Sequence, residues 1–162
     1  MSKTSLTAFL VGVAAVAVLL AAILYSNRGE RIGLTGGIVK VRTAPLDENS
    51  SVAVLDFRVH NPGDEAFVVG NVTVVMEDKD GKQYEGATVS AADTARLFEG
   101  LPLLGQRFNG PLATKDKIPH NATEDRMVAA RFDAPVARID ARKRFLLRIE
   151  DVNGPVTELP ER

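Results

Sequence analysis

The side chains best suited to chemistry in this chain are few, and their spacing argues against the familiar catalytic machinery. His60 and His120 each precede an asparagine, with no HxH or HExxH spacing, and the chain has no cysteine. Neither a thiolate nucleophile nor a Cys-based zinc site can therefore form. The run Met76-Glu77-Asp78-Lys79-Asp80-Gly81 has the look of a calcium loop. Aligning Gly81 with that loop's required glycine puts Met76 at the first ligand position and Ala87 at the twelfth, where carboxylates must stand. It reads instead as a solvated hairpin tip. A Ser-His-Asp triad is assembled in space rather than in sequence, but the GxSxG elbow, the Walker loop and the GxGxxG fingerprint are all missing. Gly100 to Gly110 also lacks the Lys-Ser/Thr of a phosphate loop. The expectation is a non-catalytic protein, with no cofactor and no metal.

One basic cluster stands out: Arg138, Arg142, Lys143, Arg144 and Arg148. Such a run would suit anionic lipid headgroups. Interleaved with Asp140, Glu150 and Asp151, it reads better as a solvated mixed-charge face. The whole chain carries 20 Lys+Arg against 21 Asp+Glu, a net charge of -1. Lys3 is the one charged residue before Ser26, so the remainder holds 19 basic and 21 acidic side chains. That balance gives no reason to expect nucleic acid as a partner. Asn49, Asn71 and Asn121 each fit an N-glycosylation sequon, Asn71 within an expected strand, and read as chance matches.

The stretch that organises the rest is Leu6 to Tyr25, LTAFLVGVAAVAVLLAAILY. About twenty apolar residues at 1.5 Å rise cross a hydrocarbon core about 30 Å thick, with the backbone satisfied internally. The run is longer than a cleaved signal's apolar region, and Ile23-Leu24-Tyr25-Ser26-Asn27 lacks a small-x-small cleavage site. It is expected to be an uncleaved signal anchor with Tyr25 at the interface. Lys3 and the terminal amine favour a cytoplasmic N-terminus, whereas Arg28, Arg31, Lys40 and Arg42 follow the span. Long domains translocate largely regardless of charge, so residues 1–5 are expected inside the cell and the rest outside the inner membrane, in the periplasm or an equivalent extracytoplasmic space.

Residues 26–37, polar and rich in glycine, read as a tether. Residues 38–160 then follow a period of two. Ile38 to Thr43 alternates apolar with basic residues and ends at Ala44-Pro45. From Val52 to His60, Ala53, Leu55, Phe57 and Val59 share one face and Val54, Asp56, Arg58 and His60 the other. Asn61-Pro62-Gly63-Asp64 turns the chain. Phe67 to Asp78 slips phase at Gly70-Asn71, the mark of a bulge, after which Val72, Val74 and Met76 face inward and Thr73, Val75 and Glu77 outward. Lys79-Asp80-Gly81 leads into Lys82 to Glu85 as a hairpin. Met127 to Phe132 buries Val128, Ala130 and Phe132; Arg144 to Val152 buries Phe145, Leu147 and Ile149. After a turn at Asn153-Gly154, Val156 to Leu159 forms a last strand. Six or seven such strands predict an all-β chain with an immunoglobulin-like antiparallel β-sandwich.

Residues 90–125 break that rhythm as a long insertion. Ser90 caps a short helix over Thr94 to Phe98, with Asp93 at the capping-box position. The apolar side chains that follow, Leu97, Phe98, Leu101, Leu103, Leu104 and Phe108, have two readings. They plug one end of the sandwich, as apolar residues mostly do, or they form an exposed partner-binding lip.

Val59-His60-Asn61-Pro62-Gly63, followed by the apolar strand Phe67 to Met76 with its central Gly-Asn, resembles the water-stress/hypersensitive-response domain of group 2 late-embryogenesis-abundant proteins. The match spans roughly twenty residues, and the insertion before Arg126 departs from that domain's pattern. In layout the chain is similar to uncharacterised bacterial single-span proteins carrying one immunoglobulin-like domain. The resemblance implies a sandwich and a non-catalytic family. The expected function is an interaction or structural module, an accessory subunit meeting another envelope protein. The alternative is a small-ligand-binding or stress-protective module.

Overall fold

A computed structural model describes residues 12–13, 16–22, 33–152 and 154–161. The chain divides into two compact units, Met1–Arg31 and Ile32–Arg162. In the first, residues 12–13 and 16–22 are helical. More than half of the expected span from Leu6 to Tyr25 lies outside the described residues, as do residues 1–5 and the tether up to residue 32. Among the described residues no helix is long and apolar enough to cross a membrane.

The second unit is mostly antiparallel β-structure. Its long strands are β1 (Thr35–Pro45), β2 (Ser51–His60), β3 (Phe67–Glu77), β7 (Thr123–Phe132) and β8 (Arg144–Asp151). The shorter ones are β4 (Gln83–Thr88), β5 (Gly110–Pro111), β6 (Lys117–Ile118) and β9 (Val156–Pro160). The helices are α1 (Ala91–Gly100) and α2 (Val136–Asp140). The strands join in the order β1-β2-β7-β4-β3-β8-β9, with β5 beside β7 and β6 beside β3. A parallel bridge between Ile38 and Glu161 links the two ends of that order. The sheet therefore nearly closes on itself, which leaves little free edge for another chain to extend.

The link between the two halves is β4. Its first residues pair with β3, Glu77 opposite Gln83 through Val74 opposite Gly86. Its last two pair with β7, Ala87 opposite Arg131 and Thr88 opposite Ala130. Gly86 sits at this change of partner because the Phe132 ring leaves no room for a side chain: an added Cβ would lie 2.5 Å from its Cζ.

The inward faces enclose one main core. Ala53, Leu55, Phe57 and Val59 of β2 meet Val72, Val74 and Met76 of β3, with Phe145, Leu147 and Ile149 of β8 among them. These are the alternations expected from the sequence, and the register shift between Val69 and Asn71 is the bulge at Gly70. Where the structure differs, burial from outside is the reason. Val75 and Glu77, expected outward, are buried. Val75 stands opposite Leu146, also buried, and Glu77 is covered by Lys143 and Arg144. The first strand starts at Thr35, inside the stretch read as a tether. Gly36 permits this at φ +146, with the Arg58 carbonyl oxygen 2.0 Å from where its Cβ would be. The turn glycine Gly154 is described and Asn153 is not.

Asn61, the centre of the Asn-Pro-Gly motif, is a buried hub. Its Nδ2 donates to the carbonyls of Glu65, Ile118 and Pro119, and its Oδ1 accepts from the Gly63 N–H. The motif thus fastens the β2–β3 turn to the end of the insertion. A buried amide with every polar atom paired serves structure rather than chemistry.

Candidate functional site

The insertion has defined structure. Ser90 caps α1 as expected: its Oγ accepts from the Asp93 N–H at 3.1 Å. The helix begins at Ala91, three residues before the expected Thr94, and ends at Gly100, two residues past Phe98. A single 3₁₀ turn, Pro102–Leu104, follows. β5 and β6 then tie the remainder to β7 and β3.

This segment lies over the outer face of β1, β2 and β7, where Leu104 joins Ala44, Val52, Val54, Met127 and Ala129 in a second apolar cluster. Leu97, Phe98 and Leu101 pack against that cluster while partly buried. On the second face of β2, Val52, Val54 and Asp56 are buried for this reason, while Arg58 is exposed. Of the six side chains proposed from sequence as a lip, Leu104 is only 1% exposed, whereas Leu103 and Phe108 are 75% and 65% exposed. Leu104 is thus part of the cover, while Leu103 and Phe108 stand exposed.

What holds the cover down is an ion pair that the sequence did not announce. Arg42 of β1, which stands opposite Val54, reaches diagonally across the ladder to Asp56 of β2 and meets it at 2.7 Å, their side chains 9% and 6% exposed. The Arg42 guanidinium also donates from Nη1 to the carbonyls of Leu104 and Gln106, both at 2.8 Å. Between those carbonyls sits Gly105 at φ +70, a left-handed conformation that suits glycine. Asn109 Nδ2 donates to the other Asp56 oxygen at 3.0 Å. Three points of the insertion are thereby tied to one buried pair. The guanidinium carbon further lies 5.1 Å from the Phe98 ring centroid and 5.9 Å from that of Phe108, within cation–π range.

Around Phe108 the surface is cationic. Lys40 Nζ stands 5.6 Å from its ring centroid. Lys40 and Arg107 are exposed, and among the described residues neither has an ion-pair partner. The one sequence cue to the clamp was Asp56, a carboxylate amid VAVLDF, which needed a partner if both faces of the strand were covered.

The other chemically suggestive residues do not converge. His60 Nδ1 is 3.1 Å from Thr123 Oγ1, and His120 is exposed on a separate loop. Among the described residues no three His, Asp or Glu side chains gather as a metal site. Asp78 caps its own hairpin, accepting from the Asp80 and Lys82 N–H groups.

Four of the five residues of the basic cluster, all but Arg138, are consumed by ion pairs with distant acids rather than by the adjacent ones. Lys143 and Arg144 hold Glu77, at 2.6 and 2.8 Å. Arg142 pairs with Glu161, and Arg148 with Glu158. The Lys143 ammonium, then the Arg144 guanidinium, hold the Glu77 carboxyl below its ordinary value. Arg58 does the same to Asp125.

No family model matches the chain, and no curated relative does. A search of solved structures finds the "Structure of Iho670 Flagellar-like Filament", 14% identical, covering 97% of this chain and 96% of that one. Its TM-score of 0.35 is too low to carry an argument about fold or function.

Proposed function

We propose that the protein is a non-catalytic, membrane-anchored interaction module, held by the Leu6 to Tyr25 run and working through the surface of its insertion. The finer fold reading is an immunoglobulin-like sandwich, with β1-β2-β7 and β3-β8-β9 opposed and β4 shared; the single main core supports it. Its location on this reading is the inner membrane, with the β unit on the extracytoplasmic side.

The observation that carries the proposal is the exposure of Leu103 and Phe108 on a segment clamped by a buried ion pair. Leu103 and Phe108 lie on the same short segment as the buried Leu104 yet stay exposed. Here rigidity and exposure coincide, which lowers the ordering cost of binding. Lys40 and Arg107 select the partner's charge, so the occupant is an acidic segment of another envelope protein with an apolar anchor for Leu103 and Phe108. The alternative, a small-ligand-binding or stress-protective module, draws on a different feature, the cleft between β4 and β7.

The test is a photo-crosslinking residue placed at Phe108 in the full chain, in its native membrane, with Glu48 as an exposed control position. One stoichiometric adduct, mapped to an acidic apolar segment, is expected at position 108 and lost on Leu103→Asp. Equal adducts at both positions, or an adduct unaffected by Leu103→Asp, would remove the insertion as the working surface.

A further inference from the structure

A second feature of the β unit is independent of the insertion. Where β4 changes partner from β3 to β7, the strands part and leave a cleft of about 420 Å³. That volume falls in the range of small-molecule sites. Its apolar lining comes from Met76, Phe132, Ala87 and Ala134.

Polar groups converge on one side. Arg138 of α2 lies with its guanidinium carbon 4.4 Å from the Tyr84 ring centroid and donates from Nη2 to the Tyr84 hydroxyl. Lys82 Nζ is 5.2 Å from the same centroid. Stacking and that one hydrogen bond fix the guanidinium, yet among the described residues its Nε and Nη1 have no partner. A planar fork with donors to spare is suited to a carboxylate. The other cleft arginine, Arg131, is tied to Asp133 at 3.3 Å. Glu85, also on the cleft, has no ion-pair partner among the described residues. The two carboxylates beside the site, Glu85 and Asp133, repel a doubly charged phosphate more strongly than a single carboxylate, which favours the singly charged ligand.

We infer that this cleft binds a small monocarboxylate with a flat apolar body, the carboxylate on Arg138 and the body seated on Ala87 above the buried Phe132. The ligand fills the gap that opens where β4 leaves β3. This site stands whether or not the insertion docks a protein.

The probe is 2-naphthoate, titrated into the full chain in nanodiscs and followed by the methyl resonances of Met76, Ala87 and Ala134. Saturable shifts at these methyls are expected. Neutral 2-naphthylmethanol and doubly charged 2-naphthyl phosphate should each bind about tenfold or more weakly, since a charge-assisted hydrogen bond is lost in one and repulsion added in the other. Arg138→Gln should weaken 2-naphthoate by a similar factor while leaving the alcohol's affinity unchanged. Ala87→Trp, at an exposed position, fills the cleft and should abolish binding. If Ala87→Trp fails to fold, the ligand series and Arg138→Gln decide. Equal affinity for acid and alcohol, shifts that do not saturate, or binding retained by folded Ala87→Trp would overturn the assignment.

Discussion

Removing Arg42 tests the clamp directly. In Arg42→Met the Asp56 carboxylate keeps Asn109 as its one side-chain partner while its side chain is only 6% exposed. Stranding a buried charge this way costs about 3 to 5 kcal/mol, a large share of the roughly 5 to 15 kcal/mol that holds a domain together. Asp56→Leu should cost a similar amount by stranding the guanidinium. The double variant, Arg42→Met with Asp56→Leu, buries no unpaired charge and should be less destabilised than either single one. A coupling on the order of 2 kcal/mol is expected. Denaturant unfolding of the full chain in mild detergent, followed by circular dichroism, gives the three differences. Hydrogen exchange at the Leu104 and Gly105 amides reports whether the insertion has lifted. Singles costing under about 1 kcal/mol, or a double equal to the sum of the singles, would mean that apolar contact alone holds the cover and that the clamp reasoning is wrong.

Three further outcomes follow from the same geometry. Phe57→Ala, at a core position 1% exposed, should cost about 3 to 5 kcal/mol; an unchanged melting temperature would remove the register of β2. Gly86→Ala drives a methyl into the Phe132 ring and should cost about 1 to 3 kcal/mol, with chemical-shift changes at Phe132; a neutral effect would show that the ring yields freely. Glu77 is lowered by Lys143 and Arg144 from an ordinary value of 4.5. Its contribution is complete above that value and is lost as pH falls through the lower folded one. Thermal stability from pH 6 downward should therefore fall more steeply in the wild type than in Glu77→Gln, and parallel curves would sink the assignment.

The strands were legible because their alternation is local. Phe57 and its neighbours two residues away declare a buried face without knowledge of anything distant, and Gly70-Asn71 marks its own bulge. The outer faces were not legible. Whether Val54 and Asp56 meet water depends on Leu104, some fifty positions later. Nothing near Arg42 distinguishes it from Lys40, although one is clamped and the other free. Gly36 and Gly37 suggested a tether by composition, but both lie in β1, where Gly36 serves close approach to β2. The basic cluster suggested a face by proximity in sequence, whereas Glu77 and Glu161 come from other strands to neutralise it.

Because Ile38 bridges Glu161 and the Leu34 amide donates to Thr157 Oγ1, the β unit is a loop in all but covalent bond. Joining its two ends with a few residues and reopening the chain at the exposed tip Asp80-Gly81 should leave every ladder intact. A cargo fused at either original end would emerge from the same pole, which makes the unit a natural candidate for insertion, whole, into the surface loop of another host protein.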